Sequence, residues 1–326
     1  MKSIQMSRTG GLEVLELVEV PIPKPGPDEV LIKAHAIGIG HFDMLIRAGR
    51  YPWMPPLPYV PGNEMTGHVV DANGTHFASG QAVYVANWDN DYKGGFYAEY
   101  LSASAKAVRP LSADADLDRG AALSNYTVAS CLLEYAVRFP FKTLAVHGAA
   151  GGMGIALTQL AQLAGASVIG IAGGEEKCAF VRSLGAQAVD HTREDVVARV
   201  LDLTGGRGAD LICNHMAGET LSRDLKMLAP FGVLVSYGAL HGLPEGDLFR
   251  DMRANVARCP SVRCFTMHSF DHATDMRDRC TDKVLRLFAE KKIAPVLGPV
   301  FPLTQAADAH RALEARGVIG KIILRP

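Results

Sequence analysis

Two textures of hydrophobic and polar positions divide the chain. Over residues 1–110, short apolar runs are broken by Pro and Gly: Val30–Ile39, Gly67–Ala72, Ala82–Ala86 and Ala98–Leu101. Runs of that length between turn residues predict strands. Val69-Val70-Asp71-Ala72-Asn73-Gly74-Thr75-His76-Phe77 puts Asn-Gly at the centre of a strand-turn-strand pattern, which predicts a hairpin. Tyr51 to Pro61 carries five prolines and no period, so it predicts a loop. The pattern is that of an antiparallel β domain.

From residue 125 the pattern changes to strands alternating with amphipathic helices. Strands are predicted at Thr143–His147, Ser167–Ala172, Ala188–Asp190, Asp210–Asn214, Val233–Tyr237 and Val262–Thr266. Between them lie helical stretches such as Gly152–Ala164, with apolar residues at 153, 156, 157, 160 and 163. That alternation argues for βαβ units and a parallel sheet, and six strands fit the doubly wound dinucleotide-binding arrangement. A further helix (Asp282–Lys291), a helical turn over Gln305–Ala315 and a strand (Lys321–Leu324) follow, and are expected to pack back on the first domain.

Composition narrows the class. With 326 residues, two domains are expected. Lys plus Arg is 33 and Asp plus Glu is 34, so the net charge of -1 offers no basic field for nucleic acid. No apolar run reaches the ~18 residues of a membrane span, and Met1-Lys2-Ser3-Ile4-Gln5-Met6 does not read as a signal peptide, so a cytoplasmic location is expected. The six cysteines form no C-x-x-C pair, which argues against a disulfide framework or a zinc ribbon. Cys264, His268 and His272 are spaced for one helical face, but the strand predicted over Val262–Thr266 interrupts it.

The stretch with the most chemistry is His147-Gly148-Ala149-Ala150-Gly151-Gly152-Met153-Gly154. It follows a predicted strand and opens a predicted helix, the context a dinucleotide fingerprint requires. Gly151 lets backbone approach a pyrophosphate, Gly154 lets the helix pack on the strand, and the helix N-terminus offers N–H groups to the phosphates. The first glycine of the G-x-G-x-x-G pattern is Ala149 here. Ala150, Gly152 and Met153 complete the expected cradle.

The end of the second strand selects the nucleotide. NAD sites carry Asp or Glu there for the ribose 2′-OH. Here the run is Ile171-Ala172-Gly173-Gly174-Glu175-Glu176-Lys177. The glycines leave room for a 2′-phosphate, with Lys177 and Arg193 as its cations; the opposing reading gives the acidic role to Glu175 or Glu176. The NADP(H) reading is preferred.

Taken in order, these residues resemble the medium-chain dehydrogenase/reductase superfamily, and within it the zinc-free quinone oxidoreductase (zeta-crystallin-like) branch. The likeness is carried by Thr9-Gly10-Gly11-Leu12-Glu13-Val14-Leu15, Pro25-Gly26-Pro27-Asp28-Glu29-Val30, Ile46-Arg47-Ala48-Gly49-Arg50-Tyr51-Pro52, Pro61-Gly62-Asn63-Glu64 and Gly95-Phe96-Tyr97-Ala98-Glu99. It continues through the glycine loop, Gly205-Gly206-Arg207-Gly208-Ala209-Asp210 and Ala309-His310-Arg311-Ala312-Leu313-Glu314. The resemblance implies an α/β fold: a GroES-like β domain over 1–124 and 267–326, a Rossmann domain over 125–266, and an active site in the cleft.

Departures from the superfamily pattern bear on the chemistry. Positions matching the catalytic zinc ligands of its alcohol dehydrogenases are Gly40 and Asn63, and no cysteine precedes Cys131, so no metal is expected. The asparagine usual in the branch's Gly-Val-Asn-Pro-Val-Asp run is also Gly40, and a tyrosine usual near the adenosine is matched to Thr192, with Arg193 retained.

Without a metal, the acceptor must be electrophilic through its own conjugation or through hydrogen bonds. The resemblance makes Tyr51, Asp43 and Tyr126 the catalytic candidates, with Arg47 and His41 as further donors and Trp53 and Phe42 as an apolar slot. Thr127, beside Tyr126, is matched to the nicotinamide face. Tyr237 and Gly238 are matched to its ribose, and His215 to the cofactor loop after the fourth strand. These features imply an NADPH-dependent reductase of quinones or other conjugated carbonyls, acting as a homodimer. An enoyl or enone reductase is the neighbouring reading, and a non-catalytic NADP(H)-binding sensor or interaction protein is the reading from another class.

Overall fold

The computed structural model describes residues 1–89, 94–137 and 140–326. In chain order its elements are β1 (Lys2–Gln5), β2 (Glu16–Glu19), β3 (Glu29–Gly38), α1 (His41–Arg47), β4 (Glu64–Asp71), β5 (Ala82–Ala86), β6 (Tyr100–Ser104), β7 (Val108–Pro110), α2 (Leu117–Gly120) and α3 (Leu123–Tyr135). There follow β8 (Thr143–His147), α4 (Gly152–Leu163), β9 (Ser167–Ala172), α5 (Glu175–Ser183), β10 (Gln187–Asp190), α6 (Val196–Leu203), β11 (Ala209–Asn214) and α7 (Thr220–Asp224). Next come β12 (Leu228–Ser236), α8 (Leu248–Ala254), β13 (Ser261–Cys264), α9 (Thr274–Ala289), β14 (Leu297–Pro302), α10 (Ala306–Glu314) and β15 (Lys321–Arg325). They form two compact units, Met1–Ser124 with Leu285–Pro326, and Asn125–Val284.

The first unit is built on a seven-stranded sheet of order β14-β15-β3-β4-β5-β7, with β6 also paired to β3. Its pairs are antiparallel except β14 with β15. The hub is β3, which holds β4, β6 and β15. Val30 and Ile32 point into the core while Lys33 points out, the period-2 alternation of a half-buried strand. Register shifts against β4 at Leu31/Ile32 and Ala34/Ala36 mark bulges, which add local twist and bend.

Two readings of this half need correction. Asn73 and Gly74 do take positive φ, 46° and 75°. The return strand nonetheless starts at Ala82, because Thr75 N–H and its hydroxyl both donate to the Ala72 carbonyl (2.9 and 2.7 Å) and wind the chain into a local turn. The strand expected at Ala98–Leu101 is shifted to Tyr100–Ser104, where Leu101 and Ala103 face the core and the Ser102 hydroxyl donates to Glu29 Oε2 at 2.8 Å.

The second unit holds a six-stranded, wholly parallel sheet of order β10-β9-β8-β11-β12-β13. Counted within the unit this is 3-2-1-4-5-6, the doubly wound dinucleotide-binding order. Helix α4 buries Ile155, Ala156, Leu157, Leu160 and Ala161, while Leu163, expected on that face, is 49% exposed.

The unit runs to Val284, eighteen residues past the sequence-predicted boundary at 266. The helix expected from Asp282 begins at Thr274, hidden by a charged first turn in which Arg279 pairs with Asp275 at 3.0 Å. Its inner face carries Arg277, Cys280 and Val284, and Cys280 packs with Cys131 and Phe270. Cys264 ends a strand, whereas His268 lies in a separate turn bonded to Asp271 (2.8 Å), so the Cys264, His268 and His272 spacing builds no common face.

A buried ion pair ties the first unit together. Glu64, fully buried at the start of β4, receives Lys321 Nζ at 2.7 Å, the Ser124 N–H at 2.8 Å and the Ser124 hydroxyl at 2.5 Å. Lys321→Met leaves that carboxylate short of its countercharge, and removing one partner of a buried pair costs about 3 kcal/mol or more. Urea denaturation is expected to show that loss for Lys321→Met, and most of it regained in Glu64→Gln/Lys321→Met. Equal losses in the two variants refute the pairing as the source of stability.

Candidate functional site

In the second unit the strand order reverses between β8 and β11, and an open parallel sheet receives ligands beyond the carboxyl ends of its strands at such a reversal. The glycine loop leaves β8 there. Gly148 has φ +63°, and a Cβ on it would meet His215 Cε1 at 2.5 Å. A Cβ on Gly154 would stand 2.3 Å from the Gly148 carbonyl oxygen and 2.6 Å from Ala149 Cα, so only glycine lets α4 dock on its loop.

Gly151 is the N-cap of α4, without a side-chain cap, and the first helical bond runs from Ile155 N–H to the Gly151 carbonyl at 2.9 Å. The N–H groups of Gly152, Met153 and Gly154 therefore have no partner among the described residues, and no acidic side chain stands in that turn. This is an anion site in its simplest form.

At the end of β9, Gly174 (φ +84°) is the N-cap of α5, and a Cβ on it would project into open space. Its N–H donates to Asp190 Oδ1 at 3.0 Å. The same oxygen accepts from the Thr192 N–H (3.0 Å) and hydroxyl (2.7 Å), and these bonds, the hydroxyl's first, draw Asp190 down to about 2. Glu175 pairs with Arg182 along α5, which engages one of the two acids that compete for a ribose 2′-OH. Lys177 lies half-buried near the start of α5, and Arg193 is 75% exposed, 4.0 Å from Asp190.

The residue standing over Gly173 is His191. A Cβ on Gly173 would lie 2.9 Å from its Nε2, so the room expected there is bordered by an imidazole. Thr192, matched to the adenosine-side tyrosine, turns its hydroxyl onto Asp190 instead.

The loops after β11 and β12 are zipped together by backbone bonds: Tyr237 N–H to Asn214 O (3.0 Å), Leu240 N–H to His215 O (3.1 Å) and His241 N–H to Met216 O (2.7 Å). His215 and Tyr237 stack obliquely, their ring centroids 5.6 Å apart. Gly238 carries no Cβ, which at that place would stand 3.0 Å from the His215 carbonyl oxygen.

Beneath these loops lies a buried cluster that sequence reasoning missed. Asp224 Oδ2 meets His147 Nε2 at 2.7 Å and accepts from Asn214 Nδ2 at 2.6 Å, while Asn214 Oδ1 accepts from the Met216 and Ala217 N–H groups. It pins the ends of β8 and β11 to α7. The signal available was a polar last residue on each of two apolar strands.

Tyr126 and Thr127 lie on α3. Tyr126 is 2% exposed, and its hydroxyl donates to Gln159 Oε1 of α4 at 3.0 Å, which pins two helices together. Thr127 is fully buried, with its hydroxyl oxygen unpartnered among the described residues. The uncapped α4 turn, the open space at Gly174 and the cations on α5 and after β10 fit a dinucleotide phosphate chain and a 2′-phosphate.

In the first unit, Asp43 is fully buried, and its carboxylate accepts the Gly40 N–H (2.8 Å) and the Gly62 N–H (3.0 Å), which shapes the loop. Arg47, another sequence candidate, is buried too. It reaches Glu314 and, at 3.5 Å, His310 Nδ1, whose Nε2 meets the Tyr97 hydroxyl at 3.0 Å. Tyr51 is half-buried, edge-on to Phe42 (5.6 Å between centroids) and tilted against Trp53 (5.7 Å). With Trp53 51% exposed, these aromatics, their rings steeply inclined to one another, form an apolar patch.

Burial pushes Asp43 up to about 7, against the pull of its two N–H donors, and burial and Arg47 push His310 down to about 3. The two act on stability with opposite sign. His310 stays neutral where an unfolded chain is protonated, so its contribution grows as pH rises from about 3 to 6.5. Asp43 holds a proton that an unfolded chain has released, so its contribution falls between pH 3.8 and about 7. Asp43→Asn is expected to remove the falling component and make the urea midpoint climb more steeply from pH ~4 to ~6.5 than in the parent. Parallel profiles refute the elevation of Asp43.

Gly154→Ala has no such subtlety. The added methyl meets backbone on both sides, and equilibrium titration should show NADPH affinity at least tenfold weaker, together with a lowered Tm. Unchanged binding refutes the assignment of this loop to the cofactor.

Comparison with known proteins agrees with this geometry. Residues 26–113 match the family model described as alcohol dehydrogenase GroES-like domain, and residues 152–279 match the one described as zinc-binding dehydrogenase. The chain is 33% identical to the quinone oxidoreductase of Sus scrofa over 335 residues, which cover 99% of this chain and 97% of that protein. Among solved structures, Escherichia coli quinone oxidoreductase complexed with NADPH superposes with a TM-score of 0.88 at 27% identity, covering 100% of both chains. A structure named NAD-dependent alcohol dehydrogenase has the same TM-score, 0.88, at 30% identity and also covers 100% of both chains, so backbone likeness alone does not choose the nucleotide. Among the described residues no group of three or more His, Cys, Asp or Glu is placed to hold a metal, and no helix is long and apolar enough to cross a membrane. The chain belongs to the quinone oxidoreductase branch of the medium-chain dehydrogenase/reductase superfamily.

Proposed function

We propose that this protein is a zinc-independent reductase that moves hydride from NADPH to a quinone or another conjugated carbonyl. The observation that carries the reading is the uncapped glycine-loop helix at the reversal of the sheet, in a chain whose two ligand positions hold Gly40 and Asn63. NADPH, when bound, supplies the hydride. The α4 first turn takes the pyrophosphate, Lys177 and Arg193 take the 2′-phosphate, and His215, Tyr237 and Gly238 border the nicotinamide end. Thr127 Oγ1 is the hydroxyl kept for the carboxamide.

Glycine and a carboxamide supply no thiolate or imidazole to a zinc ion, so activation falls to the acceptor's own conjugation. For a quinone, one hydride from NADPH and one proton from water give the hydroquinone and NADP+. Tyr51 and Trp53 offer aromatic surface against which an acceptor packs. We further infer a cytoplasmic homodimer. Strand β13 is one of the two edges of the parallel sheet, and Phe231, Leu243, Phe249 and Val256 are exposed on the same unit, 53–80% each.

The test is loss of reduced-nicotinamide absorbance with chelator-dialysed protein, NADPH or NADH, and a para-quinone, an ortho-quinone or an acyclic enone. Turnover that survives chelation and is faster with NADPH and a quinone is expected, from a particle of twice the chain mass by light scattering. Preference for the enone moves the assignment to a double-bond reductase. Tight NADPH binding without turnover on any acceptor overturns the enzyme reading in favour of a sensor.

A further inference from the structure

Asn63 carries a carboxamide whose oxygen has no hydrogen-bond partner among the described residues. The chain is fixed on both sides of it: the Gly62 N–H is held by Asp43 at 3.0 Å, and Glu64 is locked in the buried pair with Lys321. The Asn63 carbonyl accepts the Asn87 N–H at 2.9 Å. Against this rigid setting, Oδ1 is buried and has no hydrogen-bond partner among the described residues. A buried polar atom without a partner is a standing cost to the folded state, and a native protein that keeps one calls for a reason.

Beside that carboxamide stands Gly40. A Cβ built on Gly40 would stand 3.8 Å from Asn63 Oδ1, 3.5 Å from Asp43 Oδ2 and 3.3 Å from Phe42 Cδ1. The backbone there (φ -110°, ψ 157°) accepts any side chain, so conformation does not demand glycine. Position 40 is also where the resemblance places an asparagine. Positions 40 and 63 thus adjoin in space, and a carboxamide absent from the first is present on the second.

We propose that Asn63 is the polar anchor of the acceptor, positioned by the fold beside Gly40 to bind its carbonyl oxygen. The Nδ2–H edge donates to the carbonyl, and the Oδ1 edge accepts from the hydroxyl that forms there on reduction. The carboxamide gains and loses no atom: the hydride comes from NADPH and the proton from water, and Asn63 holds the oxygen on which charge develops. This role rests on the reductase reading above.

The variants are Asn63→Ala, Asn63→Asp and the double exchange Gly40→Asn/Asn63→Ala, each measured for quinone kcat/KM, NADPH affinity by fluorescence titration, and Tm. Asn63→Ala is expected to lower quinone kcat/KM roughly tenfold with NADPH affinity within twofold of the parent. Its Tm should hold or rise, because an unpaired polar atom has been removed. Asn63→Asp, which keeps the size but loses the donor edge, should fall with it, and the double exchange should regain at least half of the loss. Unchanged turnover in Asn63→Ala, a loss confined to NADPH affinity, a loss matched by a fall in Tm, or no recovery in the double exchange overturns the assignment. Absence of turnover in the parent chain itself locates the failure in the reductase reading and removes the Asn63 role with it.

Discussion

The first unit depends on what happens to one carboxylate. Glu64 is fully buried, and an ionised carboxylate in that position is tolerable only if charge and hydrogen bonds meet it. Lys321 and Ser124 do so, and they lie far apart in the sequence: one opens the final strand, the other stands at the start of α3. The ion pair therefore makes residues near 64, 124 and 321 into one structure. It also fixes what adjoins Glu64 in the chain. Asn63 sits between that anchor and Gly62, itself held by Asp43, so the carboxamide proposed to meet the acceptor is placed by a structural pair that never touches a ligand.

A similar division of labour holds in the second unit. His147, Asn214 and Asp224 are buried and bonded to one another, and they set the ends of β8 and β11 at the reversal of the sheet. The groups left for a nucleotide are mostly backbone: the N–H groups that open α4, and glycines whose missing side chains give close approach. Phosphate recognition by backbone at a helix N-terminus depends little on side-chain identity. Selectivity between nucleotides depends on it heavily, and the side chains near the end of β9 include Lys177, Arg193 and the histidine over Gly173.

Several titratable residues that looked catalytic from their type and position are held by bonds within the fold. Asp43, Arg47 and Tyr126 each carry a group suited to proton transfer, yet all three are buried and engaged, with Gly40 and Gly62, with Glu314 and His310, and with Gln159. Sequence gives the chemistry of a side chain but not the direction in which it points. The same limit hid the early start of α9, whose charged first turn conceals an inner face of Arg277, Cys280 and Val284. It also let Asn73-Gly74 stand for a tight hairpin, although the hydroxyl of Thr75 closes a different turn.

By itself the sequence determined the class of each half and the place of the glycine loop. Period-2 runs punctuated by Pro and Gly specify an antiparallel sheet, strands alternating with amphipathic helices specify a parallel one, and a glycine run between strand and helix specifies an anion site, all through local sterics and periodicity. It also determined that positions 40 and 63 offer glycine and a carboxamide. Only the tertiary structure decided which strands are neighbours, that residues 267–284 belong with the parallel sheet, which polar groups are engaged within the fold, and that Gly40 and Asn63 adjoin. Those are pairings between residues far apart in the chain, fixed by burial and hydrogen-bond satisfaction, and no local pattern encodes them.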